Sequence, residues 1–119
     1  NGLWLARMTG ETFAGWTGGG GILNDDTQIV ANGTSVHVFA LSYNVPHYRT
    51  WQVGGGWLGW TPIGGVLTHM TPAVYGGNLY ITGQSATGEL FWWNGLSGSW
   101  TNFGNRGVAA NGRFAAAYR

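Results

Sequence analysis

Hydrophobic residues in this chain fall in short runs separated by glycine-rich joints, never at helical spacing. The runs include GLWLARM (2–8), VHVFAL (36–41), PHYRTWQ (46–52), NLYIT (78–82), ELFWWNG (89–95) and RFAAAY (113–118). They are rich in Trp, Tyr, Phe, Val and Thr, residues that suit a pleated surface. No capped segment of 10–12 residues keeps a 3.6-residue period, because glycine or a β-branched residue interrupts each candidate. The pattern predicts an all-β chain. Asn32-Gly33, Gly76-Gly77 and Asn111-Gly112 each sit between two apolar runs, and such dipeptides supply the two positive-φ residues of a type I′ hairpin turn. TGE (9–11), GGG (54–56) and GLSGS (95–99) read as further joints.

The runs repeat. FAGWTGGGGIL (13–23) lies under WLGWTPIGGVL (57–67) at a constant spacing of 44 residues, which matches Trp16 with Trp60 and Gly20-Gly21 with Gly64-Gly65. A third copy, GSWTNFGNRGV (98–108), places Trp100 40 residues after Trp60. Trp4, Tyr48 and Phe91 align in a second column, and IVANGTSVHVF (29–39), AVYGGNLYITG (73–83) and VAANGRFAAAY (108–118) in a third. A period of 40–45 residues holding four short strands is the mark of a β-propeller blade. Blades are sandwiched between neighbours, which explains strands apolar on both faces. On this reading residues 1–23 are an outer half-blade, 24–66 and 67–105 are whole blades, and 106–119 are an inner half-blade. These make three blade equivalents on a repeat of about 44 residues. Propellers have four to eight blades, so ring closure by oligomerisation is expected, with a dimer favoured. Trp16, Trp60 and Trp100 are expected between adjacent blades as structural residues, with Gly64 and Gly65 turning the chain from an outer strand to the next inner one.

Composition changes the picture mainly by exclusion. Of 119 residues, 44% are hydrophobic and 15% aromatic but only 8% are charged, and the net charge is +1. Nucleic acid calls for clustered Lys and Arg, so no nucleic-acid partner is expected. No run of 18 apolar residues occurs, and no membrane insertion is expected. Cysteine is absent, which leaves no disulfide framework or thiolate metal site. Asn1 stands where an initiator Met would be and no signal peptide follows it, which reads as a processed, excised or engineered chain.

Catalytic chemistry finds little support. Asp25 and Asp26 are adjacent, and Glu11 and Glu89 are isolated on turns, whereas a glycosidase needs two carboxylates about 5–10 Å apart. His37, His47 and His69 lack metal-ligand spacing. GWTGGGG (15–21) lacks the Lys-Ser/Thr ending of a phosphate loop. No enzyme activity, metal or cofactor is expected. Sugar recognition fits better: a pyranose offers a C–H face that stacks on Trp or Tyr and hydroxyls that pair with amides and guanidinium groups. Arg7, His47, Tyr48, Arg49, Trp51, Gln52, Trp92, Trp93 and Asn94 supply that mix. In an extended strand Tyr48, Thr50 and Gln52 point one way, and Arg49 and Trp51 the other.

HYRTWQVGGGWLGWTPIGGVLTHMTPAVYGGNLYITG (47–83) resembles a blade of the bacterial lectins typified by the Photorhabdus luminescens lectin. The residues that carry the likeness are Tyr48, Trp51-Gln52, Gly59-Trp60, Gly64-Gly65, Pro72-Ala73-Val74 and Gly77-Asn78. The resemblance implies a propeller that binds fucose or methylated saccharides in pockets between blades, without catalysis. Trp51-Gln52 becomes Arg7-Met8 in the first copy and Asn94-Gly95 in the third, which implies unequal sites. A secreted or cell-surface lectin is the expectation, with glycans as partners. The alternative is a protein-interaction scaffold, or an engineered or excised half-propeller.

Overall fold

The computed structural model describes residues 2–23 and 27–106, and every regular element among them is a β-strand. Three antiparallel sheets follow one another along the chain. The first is a hairpin of β1 (Leu3–Thr9) and β2 (Thr12–Gly20). The second comprises β3 (Gln28–Asn32), β4 (Ser35–Ser42), β5 (Val45–Gln52) and two short strands that share the outer edge of β5, β6 (Gly56–Trp57) and β7 (Thr61–Pro62). The third is a meander of β8 (His69–Tyr75), β9 (Asn78–Gln84), β10 (Glu89–Asn94) and β11 (Ser99–Asn105). The inner half-blade expected at the C-terminus, with its Asn111-Gly112 turn, lies outside the described residues.

The sandwiching expected of doubly apolar strands is seen at β4. Val38 is 1% exposed and Phe39 0%, although alternation sends them to opposite faces. One face carries His37, Phe39 and Leu41 of β4 and Tyr48 and Thr50 of β5, paired across the ladder. Phe39 and Leu41 join a core with Leu67, Met70, Ile81 and Trp93 from the third sheet and the segment that leads into it. The opposite face, with Val36, Val38, Arg49 and Trp51, looks toward the β1–β2 hairpin. Full burial of a side chain such as Phe39 contributes about 1.5–3 kcal/mol, so the second sheet depends on both neighbours.

Glycine makes the passage between sheets possible. Gly20 and Gly21 have φ of 69° and 88°, and their matches Gly64 and Gly65 have 85° and 79°, in the left-handed region that residues with a Cβ disfavour. Leu67 then enters the core over Gly83, where a Cβ would stand 2.5 Å from a Leu67 methyl.

The hairpin turns differ in detail from expectation. Gly76 and Gly77 both have positive φ, as a type I′ turn requires, but the 33–34 turn has positive φ only at Gly33, the pattern of type II′. Asn32 is therefore the last strand residue, paired with Ser35. Between β4 and β5 the left-handed pair is Tyr43 and Asn44, with φ of 50° and 63°. The Leu67 N–H donates to the Asn44 carbonyl at 2.8 Å and helps hold this turn.

Two predictions follow from these constraints. Gly64→Val forces a β-branched residue into the left-handed region, at a cost of about 1–2 kcal/mol, and should lower the melting temperature by roughly 5–10 °C. A variant that melts with the wild type would overturn the junction assignment. His37 Nδ1 shares a 2.8 Å hydrogen bond with Thr50 Oγ1, while Nε2 is buried without a partner. Burial lowers the His37 pKa below 6.5. The unfolded chain therefore takes up a proton before the native one, so stability should fall as pH drops below about 6.5. In His37→Gln this acid-side loss should be smaller. Parallel stability profiles of the two proteins, measured by urea unfolding across that range, would rule it out.

Candidate binding groove

A cavity of about 400 Å³ opens between the first hairpin and the second sheet. Leu5, Ala6, Ala14 and Thr17 line it from the hairpin, and Ile29, Val36, Trp51 and Trp57 from the sheet. Trp51 and Trp57 are cross-strand partners on β5 and β6, brought together by a tight Val53–Gly55 turn with Gly54 and Gly56 at positive φ. Both indoles are half-buried.

Arg49 holds this wall to the hairpin. Its Nη1 donates to the Gly19 carbonyl and its Nε to the Leu58 carbonyl at 2.6 Å. The guanidinium carbon lies 5.1 Å from the centroid of the Trp57 ring, a cation–π arrangement. The indole N–H of Trp60 donates to the same Gly19 carbonyl at 3.1 Å. Two side chains from the second sheet thus converge on one backbone oxygen of the first, and the groove walls are fixed relative to each other.

The candidate sugar-binding residues do not gather in one place. Trp51 lines the groove and Arg49 braces its wall. Tyr48 is on the opposite face, with its ring 5.6 Å from Phe39 and 6.4 Å from His37. His47 Nδ1 donates to the Val45 carbonyl at 2.8 Å. Gln52 is exposed at the end of β5. Trp93 is part of the core, and Trp92 stacks on Tyr80 at 5.7 Å and 10°. Asn94 closes the turn after β10, its Oδ1 accepting from the Leu96 N–H at 2.9 Å and its carbonyl from Gly98 at 2.8 Å. Arg7 lies in β1, and its side chain is outside the described structure. Of the structural column, Trp60 packs on Gly21 and Trp100 on Gly65. Trp16, by contrast, is 66% exposed.

Trp57 and the aliphatic lining were not singled out from sequence. The signal for Trp57 was present: two tryptophans flanking a short glycine turn become neighbours across the hairpin.

Hydrogen-bond register also corrects the repeat alignment by one residue. The inner hairpins turn at 33–34 and 76–77, a spacing of 43 and not 44, so Phe39 corresponds to Thr82 and not to Gly83. Phe39 pairs with Tyr48 and Thr82 with Trp92, so Tyr48 corresponds to Trp92 and not to Phe91. Trp51 then corresponds to Gly95 in the third sheet. A Cβ at Gly95 would stand 2.5 Å from the Leu79 carbonyl oxygen, so no side chain fits there. In the first hairpin, Met8 and Phe13 are cross-strand partners at the places of Trp51 and Trp57.

Two aromatic walls, aliphatic flanks and the Thr17 hydroxyl suit a small ligand with an apolar face and few hydroxyls. Among the described residues no acidic side chain lines the groove. The Glu89 carboxylate accepts from Thr87 at 3.3 Å and from Asn102 at 3.5 Å in the third sheet. Among the described residues no group of three or more His, Asp and Glu is placed to hold a metal ion, and no helix is long and apolar enough to cross a membrane.

The Arg49 brace predicts that Arg49→Met, which keeps the side-chain bulk but loses two charge-assisted hydrogen bonds, costs about 2 kcal/mol. A fall of roughly 8 °C in melting temperature should result, and an unchanged melting temperature would remove Arg49 from its bracing role. No protein-family model and no curated protein matches the chain.

Proposed function

We propose that the protein is a non-catalytic carbohydrate-binding β-propeller, in which the second and third sheets are blades, β6 and β7 together forming the outer strand of the second, and the β1–β2 hairpin is the outer half of another. The Trp51–Trp57 indole pair in the groove between hairpin and sheet carries this reading. Aromatic faces take the C–H face of a pyranose, and binding is favoured when few of the sugar's polar groups are left unpaired in an apolar site. Among the described lining residues Thr17 supplies the polar side chain of this kind. A deoxy or methylated sugar, such as fucose or an O-methylated hexose, suits such a lining better than a fully hydroxylated hexose. Among the described lining residues none is charged, which favours a neutral saccharide.

A glycan array on the labelled protein tests this directly. Signal on one sugar class should be competed away by the free monosaccharide. Trp51→Ala should then weaken binding by tenfold or more, equivalent to about 1.4 kcal/mol, while the protein melts within about 5 °C of the wild type. A blank array from folded protein would overturn the lectin reading. Equal binding by wild type and Trp51→Ala would move the site away from this groove.

A further inference from the structure

The outward face of the first hairpin breaks the pattern of the other sheets. Trp4 is 67% exposed and Trp16 66%, and Met8 and Phe13 are exposed beside them. The rings of Phe13 and Trp16 stand edge to face at 5.9 Å. This is an ordered aromatic surface. Each of these residues has a counterpart that is more covered. Trp16 corresponds to Trp60 and Trp100, each seated on a glycine of the preceding junction. Trp4 corresponds to His47 and Phe91, both half-buried.

The strand edge tells the same story. β5 and β10 are hydrogen-bonded on both sides, to β4 and β9 on their inner edges. Among the described residues β1 pairs only with β2. An edge unpaired among the described residues, beside an exposed aromatic face, is a template for further strands.

We propose that this face receives a second copy of the chain. The fit is a continuation of the stacking already present, in which the following-side face of one sheet meets the preceding-side face of the next. The following-side face of the third sheet carries Trp92 and Tyr80 and ends at Gly104, whose φ of 70° and pairing opposite Leu90 match Gly20 opposite Leu3. In the second copy, that sheet covers Trp4 and Trp16 as the hairpin covers Trp60.

This docking also completes a second groove. Met8 and Phe13 take the places of Trp51 and Trp57, and the partner's Trp92 and Thr101 take those of Leu5 and Thr17. The use of that groove for sugar rests on the reading above, but the docking itself does not. The copies therefore carry unlike sites, one walled by two indoles and one by a methionine and a phenylalanine.

Sedimentation equilibrium of the full chain without sugar tests the docking separately from the lectin reading. The wild type should show a mass of two or more chains that falls toward one on dilution. Phe13→Arg and Trp16→Arg place a charge on exposed positions of the face, and each should weaken association at least tenfold while the circular dichroism spectrum stays that of the wild type. A wild type that sediments as a single chain at every concentration would overturn the proposal. Variants that keep the fold and associate as tightly as the wild type would overturn it equally.

Discussion

The structure depends on the double-sided burial of β4. Val38 and Phe39 point in opposite directions and neither reaches solvent, so the second sheet cannot exist with one face wet, as an ordinary antiparallel sheet can. It must be covered by the hairpin on one side and the third sheet on the other. Such stacking imposes a problem of connection: the outer strand of one sheet must hand the chain to the inner strand of the next. The left-handed pairs Gly20-Gly21 and Gly64-Gly65 solve it with the same backbone shape twice. A tryptophan from the following sheet then sits on each junction, Trp60 on Gly21 and Trp100 on Gly65. The lack of a side chain on the glycine gives the indole a flat seat as well as giving the chain its turn.

The two junctions are not equally bonded, and the difference bears on the groove. Trp60 donates to the Gly19 carbonyl, beside the Arg49 guanidinium that reaches the same oxygen. The indole N–H of Trp100 is buried without a partner, which costs about 1–3 kcal/mol in desolvation. At the position of Arg49 the third sheet has Trp93, buried in the core. The second and third sheets are thus joined by a continuous apolar core, with Asn32 Nδ2 donating to the Gly77 carbonyl at 2.8 Å at one edge, whereas the hairpin and the second sheet are joined at one end by polar bonds and left apart at the other. That difference leaves room for the groove. An arginine fixes the distance between two sheets through directed bonds, and the space beside it remains unfilled.

Much of the fold was legible in the sequence because the repeat, the strand runs and the glycine pairs are local patterns. The Asn32-Gly33 turn shifted by one residue because glycine at the first central position already satisfies a two-residue hairpin, leaving Asn32 to the strand. The Tyr43–Asn44 turn was not legible, since a bulky residue at positive φ is disfavoured by its own sterics. It is held in place partly by the long-range bond from Leu67. The same limit explains the one-residue slip in the aromatic column. Aligning Tyr48 with Phe91 matches residue type, but a strand shifted by one residue exposes its opposite face. Alternation alone puts Trp51 on the face opposite Tyr48, but only the ladder shows that the match of Tyr48 is Trp92. That slip placed the candidate sugar residues in one column, although the fold divides them between the groove, the core and a turn.

Why the indole pair occurs in only one of the three equivalent places has a physical answer. Residues 8, 51 and 95 occupy the outer end of the third strand in each unit, beyond the span over which sheets press together. The core positions Val38 and Ile81, which correspond across the repeat, are held to an aliphatic side chain by contact on every side. At the outer end the requirement is weaker, and the chain tolerates Met8, Trp51 or Gly95. At Gly95 the backbone has drawn in until the Leu79 carbonyl occupies the space of a Cβ, so that site has closed. At Trp51 the strand stays open, and a partner indole arrives from across the glycine turn. The residue type can vary at this position without disturbing the sandwich, because the side chains there pack against the groove and not against the neighbouring sheet's core.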